Sequence, residues 1–355
     1  MSELGTTPVC RLRGIALVGI LACGAAWGTA CGPKGADAGQ SAAYPEAPPP
    51  PPAGWAPLVG EYATNSDTLS VLEDEQTLYV LFWKGGGQAL RPATDSTFEL
   101  TGNGGTLTVR RGGDGKVKEL ALGNRAFRTL SLGGEEGGTF QITPLHPPEG
   151  LRVEALAASP PGEEGDFLTS DLVELVRLDP SIRLDVRYAS TNNFMGEVFY
   201  SSPRAFLQRP AAQAVVRAHE WLKERGYGLL IHDGYRPWYV TKMFWDATPE
   251  ALRNFVADPA SGSRHNRGCA IDLTLYDLET GEVVVMPAGF DEMSPRSHAY
   301  FPGGTTRQRW FRKLLREAME AQGFAVYQDE WWHFDYQDWS RYRIGNDVFE
   351  EIGVG

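Results

Sequence analysis

The chain has 355 residues, enough for about two domains of ordinary size plus connecting segments. Its net charge of -12 excludes an extended nucleic-acid-binding surface, because phosphate recognition needs a basic face. Cys10, Cys23 and Cys31 fall in the first 31 residues and only Cys269 lies in the body, which excludes a disulfide framework across the folded part.

Residues 1–31 read as a targeting segment. Arg11 and Arg13 precede the apolar run "GIALVGILACGAAWGTAC", which has the length and flanks of a secretory h-region. Small residues precede both Cys23 and Cys31, so either fits the acceptor cysteine of a bacterial lipoprotein; an uncleaved membrane anchor is the other reading. Both readings export the body and leave it membrane-anchored, facing the periplasm or the cell exterior. Residues 32–53 have no apolar period, and Pro48 to Pro52 predict an extended polyproline stalk.

From residue 54 to 150 short β-rich runs alternate with glycine turns, as in "DTLSVLEDEQTLYVLFWKGGG" and "GTLTVRRGGDGKVKELALGN". Asp114-Gly115 marks a hairpin turn. No long helix fits, and no histidine, cysteine or carboxylate cluster has catalytic spacing. A small antiparallel β domain with a spacer or binding role is predicted.

Residues 151–165 read as a second connector, and residues 166–355 as an α+β domain. Ala211, Val215, Ala218 and Leu222 recur at helical spacing ahead of Gly226; Trp310, Leu314 and Ala318 do so ahead of Gly323. "GLLIHDGY", "AIDLTLYD", "EVVVMP" and "FAVYQDEWWHFDY" read as strands of a sheet covered by helices.

Chemistry concentrates in this second body. His265, Asp272 and His333 supply two imidazoles and a carboxylate, a three-ligand set for one zinc ion with a fourth position free for water. Glu330, three residues before His333, is a carboxylate able to move protons beside such a metal. Regular strand parity would point Glu330 and His333 apart, so a bulge or bend is expected between them. Each fragment alone has an ordinary structural reading. "DGYRP", residues 233–237, reads as a turn before a helix with Arg236 either exposed or paired to Asp233. Cys269 reads as a small buried thiol, and His232 and His298 have no ligand spacing.

Taken together, "SRHNRGCAID" (S-x-H-x-x-G-x-A-x-D), "EWWH" (E-x-W-H) and the upstream "DGYRP" resemble the zinc D-alanyl-D-alanine dipeptidases, the VanX-like enzymes of vancomycin resistance. The likeness runs from about Leu184 to His333 and covers none of the β-rich region. It implies an α+β fold shared with other cell-wall zinc peptidases and hedgehog domains, with zinc on His265, Asp272 and His333. It further implies Glu330 as general base and acid, and Arg236 beside the scissile carbonyl. Tyr188, Ser263 and Asp291 match positions lining a dipeptide pocket, where Asp291 suits a free α-amino group. The implied substrate is D-Ala-D-Ala or a related wall peptide. A D,D-carboxypeptidase on longer stem peptides and a non-catalytic zinc-stabilised binding module are the competing readings. The export segment, stalk and β domain depart from the cytoplasmic resistance enzymes and point to wall-derived substrate.

Overall fold

The protein's structure, a computed structural model, describes residues 44–82, 86–102, 104–130 and 139–352. The expected signal segment, both candidate lipidation cysteines and most of the proposed stalk lie outside these residues. No described helix is long and apolar enough to cross a membrane.

The β-rich region closes into an eight-stranded antiparallel barrel. Its strands are β1 (Gly60–Ala63), β2 (Thr68–Asp74), β3 (Thr77–Phe82), β4 (Gly86–Thr94), β5 (Thr97–Leu100), β6 (Thr106–Arg111), β7 (Val117–Leu122) and β8 (Arg125–Thr129). Each pairs with its neighbour in sequence, and β1 closes on β8 with Tyr62 opposite Thr129. The Asp114-Gly115 turn joins β6 to β7, with Gly115 at φ 77°. Strand alternation sends Leu69, Val71, Leu78, Val80, Leu107, Val109 and Phe127 inward, all buried in one cluster. A barrel of this strand number is just wide enough for its own side chains to fill.

The barrel strands end at Thr129, short of the residue 150 expected for the β-rich region. Residues 139–145 instead lie along the second body, where Ile142 N–H donates to Phe194 and Leu145 N–H to Ala247, and the connector read at 151–165 is itself ordered. A helix, α1 (Pro148–Ala157), then packs on α4 (Trp238–Ala247). The Glu163 carboxylate pairs with Arg267 at 2.6 Å.

The second body is built on a five-stranded mixed sheet. Its strands, in spatial order, are β10 (Arg183–Leu184), β12 (Tyr227–Asp233), β13 (Ala270–Asp277), β15 (His333–Tyr336) and β14 (Phe324–Val326). Only the β10–β12 pair is parallel. The strands β9 (Leu172–Glu174) and β11 (Phe206–Gln208) form a separate ribbon, and α2 (Leu175–Leu178) is a single turn. The two predicted amphipathic helices are α3 (Arg209–Lys223) and α5 (Thr306–Glu320). The first packs on β12, the second on β13 and β14, and each on the other, covering the sheet with their apolar stripes. Gly226 and Gly323 follow them at φ 84° and 86°.

Two strand expectations change. "EVVVMP" contributes only an isolated bridge, Tyr276 to Val283, rather than a strand. "FAVYQDEWWHFDY" is a hairpin of β14 and β15, because residues 327–332 turn back and Tyr327 N–H bonds to the His333 carbonyl at 2.9 Å.

Candidate active site

The sheet register assembles the site. In β13 and β15, Asp272 lies directly opposite His333. Regular pairing from Ile231–Leu273 would bring His232 opposite Asp272, but a bulge in β12 brings Asp233 there instead. Asp233, Asp272 and His333 therefore stand side by side on three adjacent strands. A bulge beside a site, re-aiming a side chain, is a recurrent device. His265 comes from a short 3₁₀ turn, His265–Arg267, ended by Gly268 at φ 66°. A Cβ on Gly268 would also lie 2.5 Å from Leu172, so the glycine in S-x-H-x-x-G is a steric requirement. The turn before β15 gives the bend expected between Glu330 and His333, whose Oε2 and Nδ1 are 3.8 Å apart.

His265, Asp272 and His333 bring one donor atom each within 4.8 Å of one another. The Nε2 of His265 is 3.0 Å from Nδ1 of His333, which is 3.0 Å from Oδ1 of Asp272. The remaining edge, His265 to Asp272, is 3.4 Å. The outer nitrogens fix the tautomers. His265 Nδ1 is 2.7 Å from the Gly234 carbonyl, and His333 Nε2 is 2.9 Å from Asp335, both acceptors only. The inner nitrogens are thus left with lone pairs, directed with a carboxylate oxygen at one point. Lone pairs so close repel unless a cation lies among them. Tetrahedral zinc with bonds of about 2.0–2.2 Å sets donors roughly 3.3–3.6 Å apart; edges of 3.0, 3.0 and 3.4 Å need open by only a few tenths of an ångström, so the donor set fits the ion. The carbonyl and carboxylate behind the histidines are the usual supports of such ligands.

The electrostatics agree. Burial works against charge on Asp272, but His265 and His333 hold its carboxyl well below the usual range. Burial also opposes charge on His333, yet Asp335 and Asp272 outweigh it. The cluster attracts positive charge.

Arg236 is buried beneath this cluster. Its guanidinium bonds the Asp233 carboxylate at 2.8 Å and lies 3.6 Å from Asp272. Asp233 also accepts from Tyr200 at 2.8 Å and from the Gly234 N–H at 2.9 Å. Arg236 is therefore both the partner of Asp233 and a wall of the site. Tyr188 donates to both oxygens of Asp291, at 3.1 and 3.0 Å. Asp291 is held at φ 57°, in the left-handed region, and burial followed by the nearby Asp272 pushes its carboxyl upward. The Ser263 hydroxyl accepts the His265 N–H at 3.2 Å. Burial pushes Glu330 up to about 8 against the pull of His333.

All eight residues singled out in the sequence line one cavity of about 400 Å³: Tyr188, Arg236, Ser263, His265, Asp272, Asp291, Glu330 and His333. Over residues 168–351 the chain matches the family model described as D-ala-D-ala dipeptidase, a peptidase family. The chain belongs to this family.

A D-alanyl-D-alanine dipeptidase of Escherichia coli K12 is 38% identical over 181 residues, covering 51% of this chain and 92% of that protein. One from Enterococcus faecium is 38% identical over 177 residues, 44% of this chain and 87% of its own. One from Streptomyces coelicolor is 34% identical over 189 residues, 48% and 94% respectively. The solved LdcB LD-carboxypeptidase covers 60% of this chain and 83% of its own at 19% identity, with a TM-score of 0.28, too low to bear on the fold. The family match begins beyond the barrel.

Within the dipeptidase domain, sequence reasoning missed the supports. Asp335 follows His333 by two on one strand, and such residues share a face, so "HFDY" contained the signal. The Gly234 carbonyl had none, because its role depends on a turn meeting a distant histidine. Cys269 is buried and its thiol is pushed up to about 12 by that burial, so it is inert. His232 is held neutral, its pKa lowered to about 4 chiefly by burial, and His298 pairs with Asp329 at 3.0 Å outside the cavity.

Proposed function

We propose that this chain is an exported, zinc-dependent D,D-dipeptidase that hydrolyses D-alanyl-D-alanine to two D-alanines in cell-wall metabolism. The observation that carries it is the convergence of three lone pairs beside a buried carboxylate that is not among them, at one end of a cavity whose other residues include Asp291. His265, Asp272 and His333 would hold one zinc ion, which would supply Lewis acidity and lower the pKa of water at the site toward neutrality. Glu330 takes the proton of the attacking water and delivers it to the leaving amine. Arg236, fixed by Asp233, places positive charge where the carbonyl oxygen becomes negative. Asp291 is a buried carboxylate with a tyrosine donor, and a substrate ammonium compensates its charge. Ser263 shapes the pocket and holds the His265 backbone. A non-catalytic zinc module would need neither Glu330 nor Arg236.

Export rests on the amino-terminal segment, with a lipid on Cys23 or Cys31 as the only membrane contact and wall-derived D-Ala-D-Ala as the substrate.

The test is a substrate series on zinc-loaded protein: D-Ala-D-Ala, its N-acetyl derivative and a stem pentapeptide. Acetylation removes the charge that pairs with Asp291. Losing one partner of a buried charge pair costs about 2–5 kcal/mol, so the acetylated compound is cleaved at least about thirtyfold more slowly. Release of D-Ala from the pentapeptide as fast as from the dipeptide would make the enzyme a carboxypeptidase.

A further inference from the structure

The barrel's interior is filled by its own side chains, so whatever it contributes to the enzyme passes through its surface. Among the described residues, two polar meetings of that surface with the dipeptidase domain differ in character. At one, the buried Glu73 of β2 accepts the Thr306 N–H at 2.9 Å and so binds the first turn of α5, remote from the cavity. At the other, Glu61 of β1 reaches Arg296, 3.4 Å away.

Arg296 is the tie of the segment that carries Asp291. Its Nε lies 3.3 Å from Glu292, which is 1% exposed, and its Nη2 donates to the Pro287 carbonyl at 3.1 Å. Glu292 in turn accepts the Gly289 N–H at 3.2 Å and the Ser294 hydroxyl at 2.5 Å. The next residue, Ser297, receives the Trp331 N–H at 2.8 Å, and Ala299 N–H donates to Gln328 at 2.9 Å. One arginine therefore braces the loop holding Asp291 in a left-handed conformation and borders the turn holding Glu330. Such a conformation persists only where its surroundings over-determine it.

We propose that Glu61 is a positioning residue for the dipeptide pocket: through Arg296 the barrel sets where Asp291 stands, and thereby the enzyme's preference for a free amino terminus. This rests on the reading of Asp291 as the amine partner. Glu61 touches no substrate and moves no proton. It adds a tie from the barrel to an arginine otherwise held from within its own loop by Glu292 and the Pro287 carbonyl.

The experiment measures kcat/KM of the full, zinc-loaded chain for D-Ala-D-Ala and for N-acetyl-D-Ala-D-Ala, in wild type, Glu61→Gln, Arg296→Gln, Glu73→Gln and Asp291→Asn. The readout is the ratio of the two, which a loss of folded protein does not change. Glu61→Gln and Arg296→Gln each lower this ratio by about threefold or more, within the roughly twofold to thirtyfold range of mutations that act on a site through a network. The loss falls on KM for the free dipeptide, with kcat nearly unchanged. A variant carrying both Glu61→Gln and Arg296→Gln is no worse than the more impaired of the two singles, as expected for two ends of one contact. Glu73→Gln lowers the melting temperature and leaves the ratio as in wild type. An unchanged ratio in Glu61→Gln, with a collapsed ratio in Asp291→Asn, overturns the positioning role and spares the pocket assignment. An unchanged ratio in Asp291→Asn overturns both.

Discussion

The barrel and the dipeptidase domain bury opposite kinds of residue. Along the eight strands, the only buried polar or charged side chain among the described residues is Glu73, near the end of β2, where its carboxylate accepts the Thr306 N–H. The dipeptidase domain buries Asp233, Arg236, His265, Asp272, Asp291 and His333 within a single site. Burying charge costs several kcal/mol per ion unless partners repay it, so charged groups gathered around one cavity set that place apart from an ordinary core. The barrel core is apolar and acts through packing.

If that contrast is right, damage to the two regions has different signatures. The largest expected effect is in the barrel. Phe127 is fully buried there, and Phe127→Ala should cost about 3–5 kcal/mol of stability by opening a cavity. Chemical denaturation checks this, and kcat per folded molecule should stay as in wild type. A lowered kcat would show that barrel packing reaches the chemistry.

Arg236 should behave in the reverse way. Arg236→Ala should lower kcat by roughly 10²–10³-fold, the usual loss on removing one donor to a developing oxyanion. Zinc content should be unchanged. Because the substitution strands the buried Asp233, the double variant with Asp233→Asn should melt higher than Arg236→Ala alone while remaining equally slow. Steady-state kinetics and calorimetry separate the two losses; a change in KM alone would make Arg236 a uniform binding group.

A smaller effect sharpens the contrast through pH. His219 in α3 accepts the Leu229 N–H at 3.0 Å and is fully buried, and that burial lowers its pKa from 6.5 to about 4. The unfolded chain takes up a proton below about 6.5 that the folded one refuses until about 4. Its contribution is therefore complete above pH 6.5 and is lost as pH falls toward 4, by up to roughly 3 kcal/mol. His219→Gln should flatten this part of the stability curve.

Much of this was legible from residue order. The glycine-punctuated β runs predicted the barrel's strands, because an eight-stranded antiparallel barrel is made of local hairpins. Closure of β1 on β8 was not legible, since it depends on a pairing between chain-distant edges. Six of the eight residues that line the cavity stand in the quoted motifs, and Tyr188 and Asp291 were read from the wider likeness; the geometry that gathers them was not legible. Periodicity suggested one strand through "EWWH"; the turn at residues 327–332 that brings Glu330 beside His333 is a tertiary outcome. The same holds for the β12 bulge that turns Asp233, and not His232, toward Asp272. Helix α1 falls where the β-rich region was read to end and the connector to begin; Pro148 is its first residue, and proline there is compatible with the first turn.

The central claim is the division of labour between three ligands and one proton carrier. Its most direct test is zinc stoichiometry, by elemental analysis and calorimetric titration after chelator treatment, on wild type, His333→Ala and Glu330→Gln. Wild type and Glu330→Gln should each bind one zinc per chain with similar affinity, while Glu330→Gln loses about 10²–10⁴-fold in turnover of D-Ala-D-Ala. His333→Ala should bind none under the same conditions. Loss of zinc from Glu330→Gln, or a full complement in His333→Ala, would contradict the assignment.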